Sequence, residues 1–163
     1  MRDRRAWFDL HDDTLSAPDV AILGLPYDGG ATLRAGAARA PAKLREISRT
    51  SDPITRRGRP IEGIRLRDFG DVPAPEASVR QTPQRDYLDA VEAKLDALPG
   101  ARLVLAVGGD NSVTIPCLSS FAKRHGRDAG VIWFDAHPDL FESYDGVPES
   151  HACALRPAPC AGA

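Results

Sequence analysis

An α/β fold built around a parallel sheet follows from three observations. Three short, nearly continuous apolar runs have strand length: VAILGL at 20–25, LVLAV at 103–107 and VIWF at 131–134. Such runs, without polar alternation, are the pattern of strands buried on both faces. Helical patterns separate the runs along the chain, so βαβ units with helices on both faces of a parallel sheet are the expected architecture.

The first run is closed by Pro26 and by the glycines of DGG at 28–30, which punctuate a strand end. Pro41 then opens a short helix, AKLREIS, because proline is tolerated in a first helical turn. SDPITRRGRP at 51–60 reads as loop. Residues 63–66 predict a short strand, with PAPEAS at 73–78 as an irregular connection. Thr82 is placed to cap a helix that starts at Pro83 and sets Tyr87, Leu88, Val91, Leu95 and Leu98 on one face. Pro99-Gly100 stops that helix. After the strand at 103–107, a further helix is expected over 113–125, followed by the third strand at 131–134. There is no internal repeat.

Composition narrows the function. The chain has 163 residues, 42% of them hydrophobic, enough for one domain with a sizeable core. A net charge of -2, with both signs interspersed, gives no reason to expect nucleic acid or an anionic membrane as partner. The charged start MRDRRAWFDLHDD has no apolar signal core, and no run reaches the roughly 20 residues of a membrane-spanning helix. The expected location is cytoplasmic. Cys117, Cys153 and Cys160 lack CxxC spacing and read as free thiols. Of 21 basic residues only Lys43, Lys94 and Lys123 are lysines, a bias that suggests GC-rich coding.

Ligands of open parallel sheets gather at the carboxyl ends of the strands. Three motifs fall there: LPYDGGAT, VGGDNS and FDAHPDL. If extended backbone persists past Phe134, then Asp135, His137 and Asp139 share one side. Two carboxylates and an imidazole suit manganese, with zinc or ferrous iron as alternatives. The competing reading is an aspartate-rich loop bonded to its own backbone. In VGGDNS, Asp110, Asn111 or Ser112 is placed to cap the next helix. LPYDGGATLRAG lacks both the lysine of a P-loop and GxGxxG spacing, so a turn is favoured over a phosphate cradle.

Taken together and in this order, LPYDGGATLRAGAARAP, FGDV at 69–72, GGDNS and DAHPD resemble the ureohydrolase family of arginase, agmatinase and formiminoglutamase. The resemblance runs from about Val20 to Leu155. It implies a three-layer αβα fold of the arginase type, of which the chain would hold the N-terminal half. It also implies a binuclear manganese centre that activates water to attack a guanidino or formimino carbon. By motif, Asp135 would bridge both ions, Asp139 would bind the first and His137 the second, while His151 in ESHAC would move protons beside the substrate. Asp135 and His151 thus carry the catalytic roles. Asn111 stands where the family usually has a histidine ligand, and either ligates manganese more weakly or only caps its helix.

The resemblance also implies a later strand with a DxD pair and a still later substrate-positioning glutamate, and no DxD follows Asp139 in this sequence. RPAPCAGA at the end, broken by Pro157 and Pro159, is not a helix former and suggests a non-native or disordered tail over 156–163. The expected protein is therefore one incomplete domain, with residues 1–19 as leader, from a truncated or frameshifted gene. It would be inactive alone, or a noncatalytic subunit that binds a full-length homologue. The family's trimers and hexamers make such mixed assembly conceivable. In the family's eight-stranded sheet the strand before DAHPD does not lie beside the one before GGDNS. Residues 131–134 are thus expected to have open edges and uncovered apolar surface.

Overall fold

The computed structural model describes residues 6–75, 85–126 and 129–156. Three parallel strands form one sheet: β1 (Val20–Leu25), β2 (Leu66–Asp71) and β3 (Leu103–Gly108), in the order β2-β1-β3. Val20 pairs with Leu66 on one side and with Leu103 on the other. Three helices connect or follow them: α1 (Ala40–Ser48), α2 (Arg85–Asp96) and α3 (Thr114–His125). The order strand, helix, strand, helix, strand, helix is the one expected from the alternation of apolar runs and amphipathic segments.

As the central strand, β1 is covered on both faces. Ala21, Leu23 and Leu25 point into one apolar cluster with Tyr87, Leu88, Val91 and Leu95 of α2. Ile22, on the opposite face, packs with Trp7, Leu66 and Val107. This two-sided burial is why VAILGL contains no polar residue. Each large aliphatic or aromatic side chain buried by α2 contributes roughly 1.5–3 kcal/mol. The apolar face expected of that helix is therefore what docks it, although Thr82 and Pro83 lie outside the described residues. Helix α3 lies beside α2, and Lys123 bridges Glu92 and Asp96 of α2. Cys117 and Cys153 are free thiols, and burial pushes the Cys117 thiol up to about 12. Cys160 and residues 157–163 of the expected tail are outside the described residues.

The segment ahead of β1 packs on the sheet. The Trp7 amide donates to Ser48 Oγ at 2.7 Å, and its indole N–H to Asp68 at 2.5 Å. The Asp68 amide donates to His11 Nδ1 at 3.0 Å, and the Asp12 amide to the Leu66 carbonyl at 2.9 Å. Arg45 of α1 closes this corner with ion pairs to Asp68 and Asp71, both at 2.6 Å.

Two strand expectations are corrected. The strand expected at 63–66 is instead β2, Leu66–Asp71. Gly63 has φ 72°, a left-handed conformation that breaks the extended backbone ahead of the strand. The sequence LRDFGD hides the strand because its aspartates serve Arg45 and are not on an apolar face. The strand expected at 131–134 does not form. These residues pair with no strand of the sheet, and Ile132 and Phe134 are 83% and 94% exposed. A strand needs a neighbour for its backbone N–H and C=O groups. The run lacks one among the described residues, as expected for a segment not adjacent to β3.

Candidate metal centre

The ends of β1 and β3 are stitched together before any candidate ligand is reached. The Gly109 amide donates to the Leu25 carbonyl at 3.1 Å and the Asp110 amide to the Tyr27 carbonyl at 2.9 Å. A Cβ on Gly109 would sit 1.7 Å from the Tyr27 oxygen, so only glycine allows the loops to approach this closely. The VGGDNS glycines therefore serve backbone contact.

Asp110 caps the short 3-10 turn Asn111–Val113 that leads into α3, accepting the Ser112 amide at 2.8 Å. It also accepts the Ser112 hydroxyl and the Gly30 amide, the latter at 2.8 Å. Burial pushes the Asp110 carboxyl up, and the bonds from Ser112 and Gly30 oppose this.

With Asp110 as the cap, the side chain of Asn111 is free for another use. Its amide nitrogen donates to Asp135 at 2.7 Å and to Asp139 at 3.1 Å. The alternative in which Asn111 merely caps its helix is thereby corrected. One amide NH2 sits between two carboxylates, a place that a hard cation can take with the amide turned to present its oxygen.

The expectation that Asp135, His137 and Asp139 share one side of an extended chain is also corrected. The backbone bends at 135–137, and the His137 amide donates to Asp135 Oδ1 at 3.0 Å. This bond from residue i+2 is the local turn that aspartate favours. Asp139 has φ 47° and is buried, and its carbonyl accepts the Leu155 amide at 2.9 Å. The His137 side chain is 79% exposed, with Nδ1 3.8 Å from Asp135. The structure thus gathers Asn111, Asp135 and Asp139 and leaves the His137 ring at the margin. Bonds from the His137 amide and then the Asn111 side chain hold the Asp135 carboxyl below its ordinary range. Among the described residues no three His, Cys, Asp or Glu side chains cluster as a metal site.

His151 lies on the short turn His151–Cys153 and reaches back to the first loop, with Nδ1 2.7 Å from the Gly30 carbonyl. Tyr144 stands edge-on to its ring. Beneath this loop, Tyr27 stacks on Tyr87 at 4.7 Å. The contact of His151 with Gly30 and the double bond of Asn111 join residues far apart in the chain. No local sequence signal points to either.

Residues 18–162 match the sequence profile of the Arginase family. The chain belongs to that family. It is 33% identical over 139 residues to an agmatinase of Bacillus anthracis, covering 85% of this chain and 46% of that protein. It is 33% identical over 147 residues to a guanidinopropionase of Pseudomonas aeruginosa, covering 88% of this chain and 44% of that one. Among solved structures, proclavaminate amidino hydrolase from Streptomyces clavuligerus superposes with a TM-score of 0.75 at 28% identity. That match covers 92% of this chain and 49% of the other. The chain thus spans about half the length of the curated relatives it matches.

The parallel α/β fold of this arginase-family chain is therefore the expected one, and the three motifs lie at the ends of its sheet and in the segment that follows. Asp110 and Gly30 are the site residues that motif matching underweights. DGG and GGD look like turn punctuation, and only the packing of one turn on the other makes them a unit.

Proposed function

We propose that this chain contributes to a manganese-dependent ureohydrolase centre acting on the C–N bonds of small guanidino or formimino compounds in the cytoplasm. The observation that carries the reading is the Asn111 amide held between Asp135 and Asp139. Two carboxylates and an amide oxygen are donors that fit a hard divalent cation. Asp135, Asp139 and Asn111 would hold manganese, with His137 joining by rotation of its exposed ring. When bound, manganese supplies acidification of water and neutralisation of the charge that develops on the amidino group.

The remaining roles belong to side chains. Asn111 keeps the two carboxylates at a common point, so their mutual repulsion is offset before a cation arrives. Asp139, buried and pinned through its carbonyl to Leu155, holds its carboxylate in place. His151 donates Nδ1–H to Gly30 and keeps its other nitrogen for moving a proton to or from the substrate nitrogen. The activities of two relatives, an agmatinase and a guanidinopropionase, support guanidino compounds as the first candidate substrates.

Three gathered donors are about half of the six that manganese prefers. The 163-residue polypeptide alone is therefore expected to bind manganese weakly and to turn over negligibly. Manganese titration of the pure polypeptide tests the assignment: weak binding that disappears in Asp139→Asn supports it. Unchanged affinity in that variant overturns it. Strong manganese-dependent urea release from agmatine would overturn the expected inactivity.

The exposed Ile132 and Phe134 favour a second reading, a noncatalytic subunit that docks on a longer homologue of the family. Its test is co-purification with such a homologue. A polypeptide that remains monomeric beside the homologue argues against it.

A further inference from the structure

We infer that Asp110 is a positioning residue for His151, acting through Gly30 to fix which ring nitrogen of His151 is free. The proton-moving role of His151 rests on the function proposed above, but the arrangement that orients its ring does not.

Three strand-end loops meet at one glycine. The half-buried Asp110 carboxylate takes the Ser112 amide and hydroxyl on one oxygen and the Gly30 amide on the other. Gly30 packs closely on Ser112 and Asp110, with no space for a side chain between them. A Cβ there would lie 2.9 Å from Ser112 Cβ and 3.1 Å from Asp110 Oδ1. With its amide fixed, the carbonyl of the same residue is aimed at His151 Nδ1, 2.7 Å away.

A carbonyl oxygen only accepts, so Nδ1 must carry the hydrogen in that bond. A neutral imidazole has one N–H, and the lone pair of His151 is therefore left on Nε2. Ser150 Oγ, 3.3 Å from Nδ1, is compatible because a hydroxyl can accept as well as donate. Tyr144, edge-on at 5.9 Å between ring centroids, restricts rotation of the imidazole. Asp110 touches neither His151 nor any reacting atom on this account. Its carboxylate acts on the tautomer by anchoring the amide of Gly30, the residue whose carbonyl, in the next peptide unit, meets His151.

Long-range 15N–1H correlation of the histidine rings in the full 163-residue polypeptide, at a pH where the rings are neutral, tests this directly. Loss of signals in His151→Gln assigns the ring. The expected result is one tautomer for His151, with hydrogen on Nδ1. In Asp110→Asn one acceptor oxygen becomes a donor, and a mixture of tautomers is expected while His125 is unaffected. Asp110→Ser retains a capping oxygen for Ser112 but is too short to hold Gly30 as well, so it should give the same mixture should the asparagine variant not fold. Hydrogen on Nε2 in the unaltered protein, or an unchanged Nδ1–H tautomer in either folded variant, overturns the inference. No activity is read, so a manganese affinity unchanged in Asp139→Asn would count against the proposed function and leave the tautomer result intact.

Discussion

The Asn111 amide donates to Asp135 and Asp139 at 2.7 and 3.1 Å, so one neutral side chain links two carboxylates 24 and 28 residues further along the chain. Replacing it by Asp puts a third carboxylate between two others and removes two charge-assisted hydrogen bonds. Bonds of this kind to charged groups are worth about 1.5–3 kcal/mol each, less where solvent reaches them. Asn111→Asp should therefore lower stability without metal. Added manganese should then raise its Tm by more than it raises that of the unaltered protein. Thermal melts with and without manganese decide the matter, and equal metal-induced shifts in the two proteins would remove Asn111 from the ligand set.

Tyr87 offers a prediction of opposite sign. Its ring stacks on Tyr27 in the core, but its hydroxyl is buried without a hydrogen-bond partner among the described residues. Burial, followed by the nearby Asp71 carboxylate, pushes the phenol above its ordinary value. An unsatisfied buried hydroxyl costs about 1–3 kcal/mol, a cost that phenylalanine avoids while retaining the stack. Tyr87→Phe should leave stability unchanged or raise it by about 1 kcal/mol. A urea midpoint well below that of the unaltered protein would show that the hydroxyl has a partner after all.

How much of this was legible in the sequence depends on whether the cause is local. The strands β1 and β3 and the helices α1, α2 and α3 were legible because apolar runs and three- and four-residue spacing are written within each element. The strand β2 was read too early because LRDFGD spends its polar side chains on Arg45, a partner that periodicity cannot see. VIWF misled in the other direction. It has strand composition, but a ladder requires a neighbour and none among the described residues pairs with it. At the site, motif order grouped Asp135, His137, Asp139 and Asn111, of which the structure brings Asn111 and the two aspartates together and leaves the His137 ring aside. It did not reveal that Asp110 would take the cap and free Asn111, because capping positions next to one another compete and packing decides.

The corner around Asp68 should respond to acid. Burial raises its carboxyl, but bonds from Arg45 and then Trp7 outweigh that effect and hold it below its ordinary value. A depressed carboxylate contributes stability that is present above its unfolded value and lost as pH falls through the folded one. Stability should therefore decline as pH drops below about 4. Asp68→Asn should flatten that decline. It also removes the Arg45–Asp68 bonds while Arg45 keeps Asp71, a loss of about 1.5–3 kcal/mol at neutral pH. Denaturant titrations at pH 7 and at pH 3 on both proteins give the comparison. The same acid-dependent loss in the variant would assign the effect to other carboxylates.

The exposed run after α3 should govern solution behaviour. Ile132 and Phe134 are almost fully accessible, and Leu140 and Phe141 follow within a few residues. Contiguous apolar surface of this kind drives association. None of the four belongs to either core cluster, so their polar replacement removes no packing that holds the sheet together. Ile132→Thr combined with Phe134→Ser should therefore keep the unfolding free energy within about 0.5 kcal/mol of the starting stability, the range for surface substitutions. The same pair should reduce self-association measured by sedimentation velocity across a tenfold or so concentration series. Undiminished association would place the sticky surface elsewhere, for instance on the exposed Leu103 and Leu105 of β3. A large drop in Tm would instead mean that the run packs in solution against a part of the chain outside the described residues.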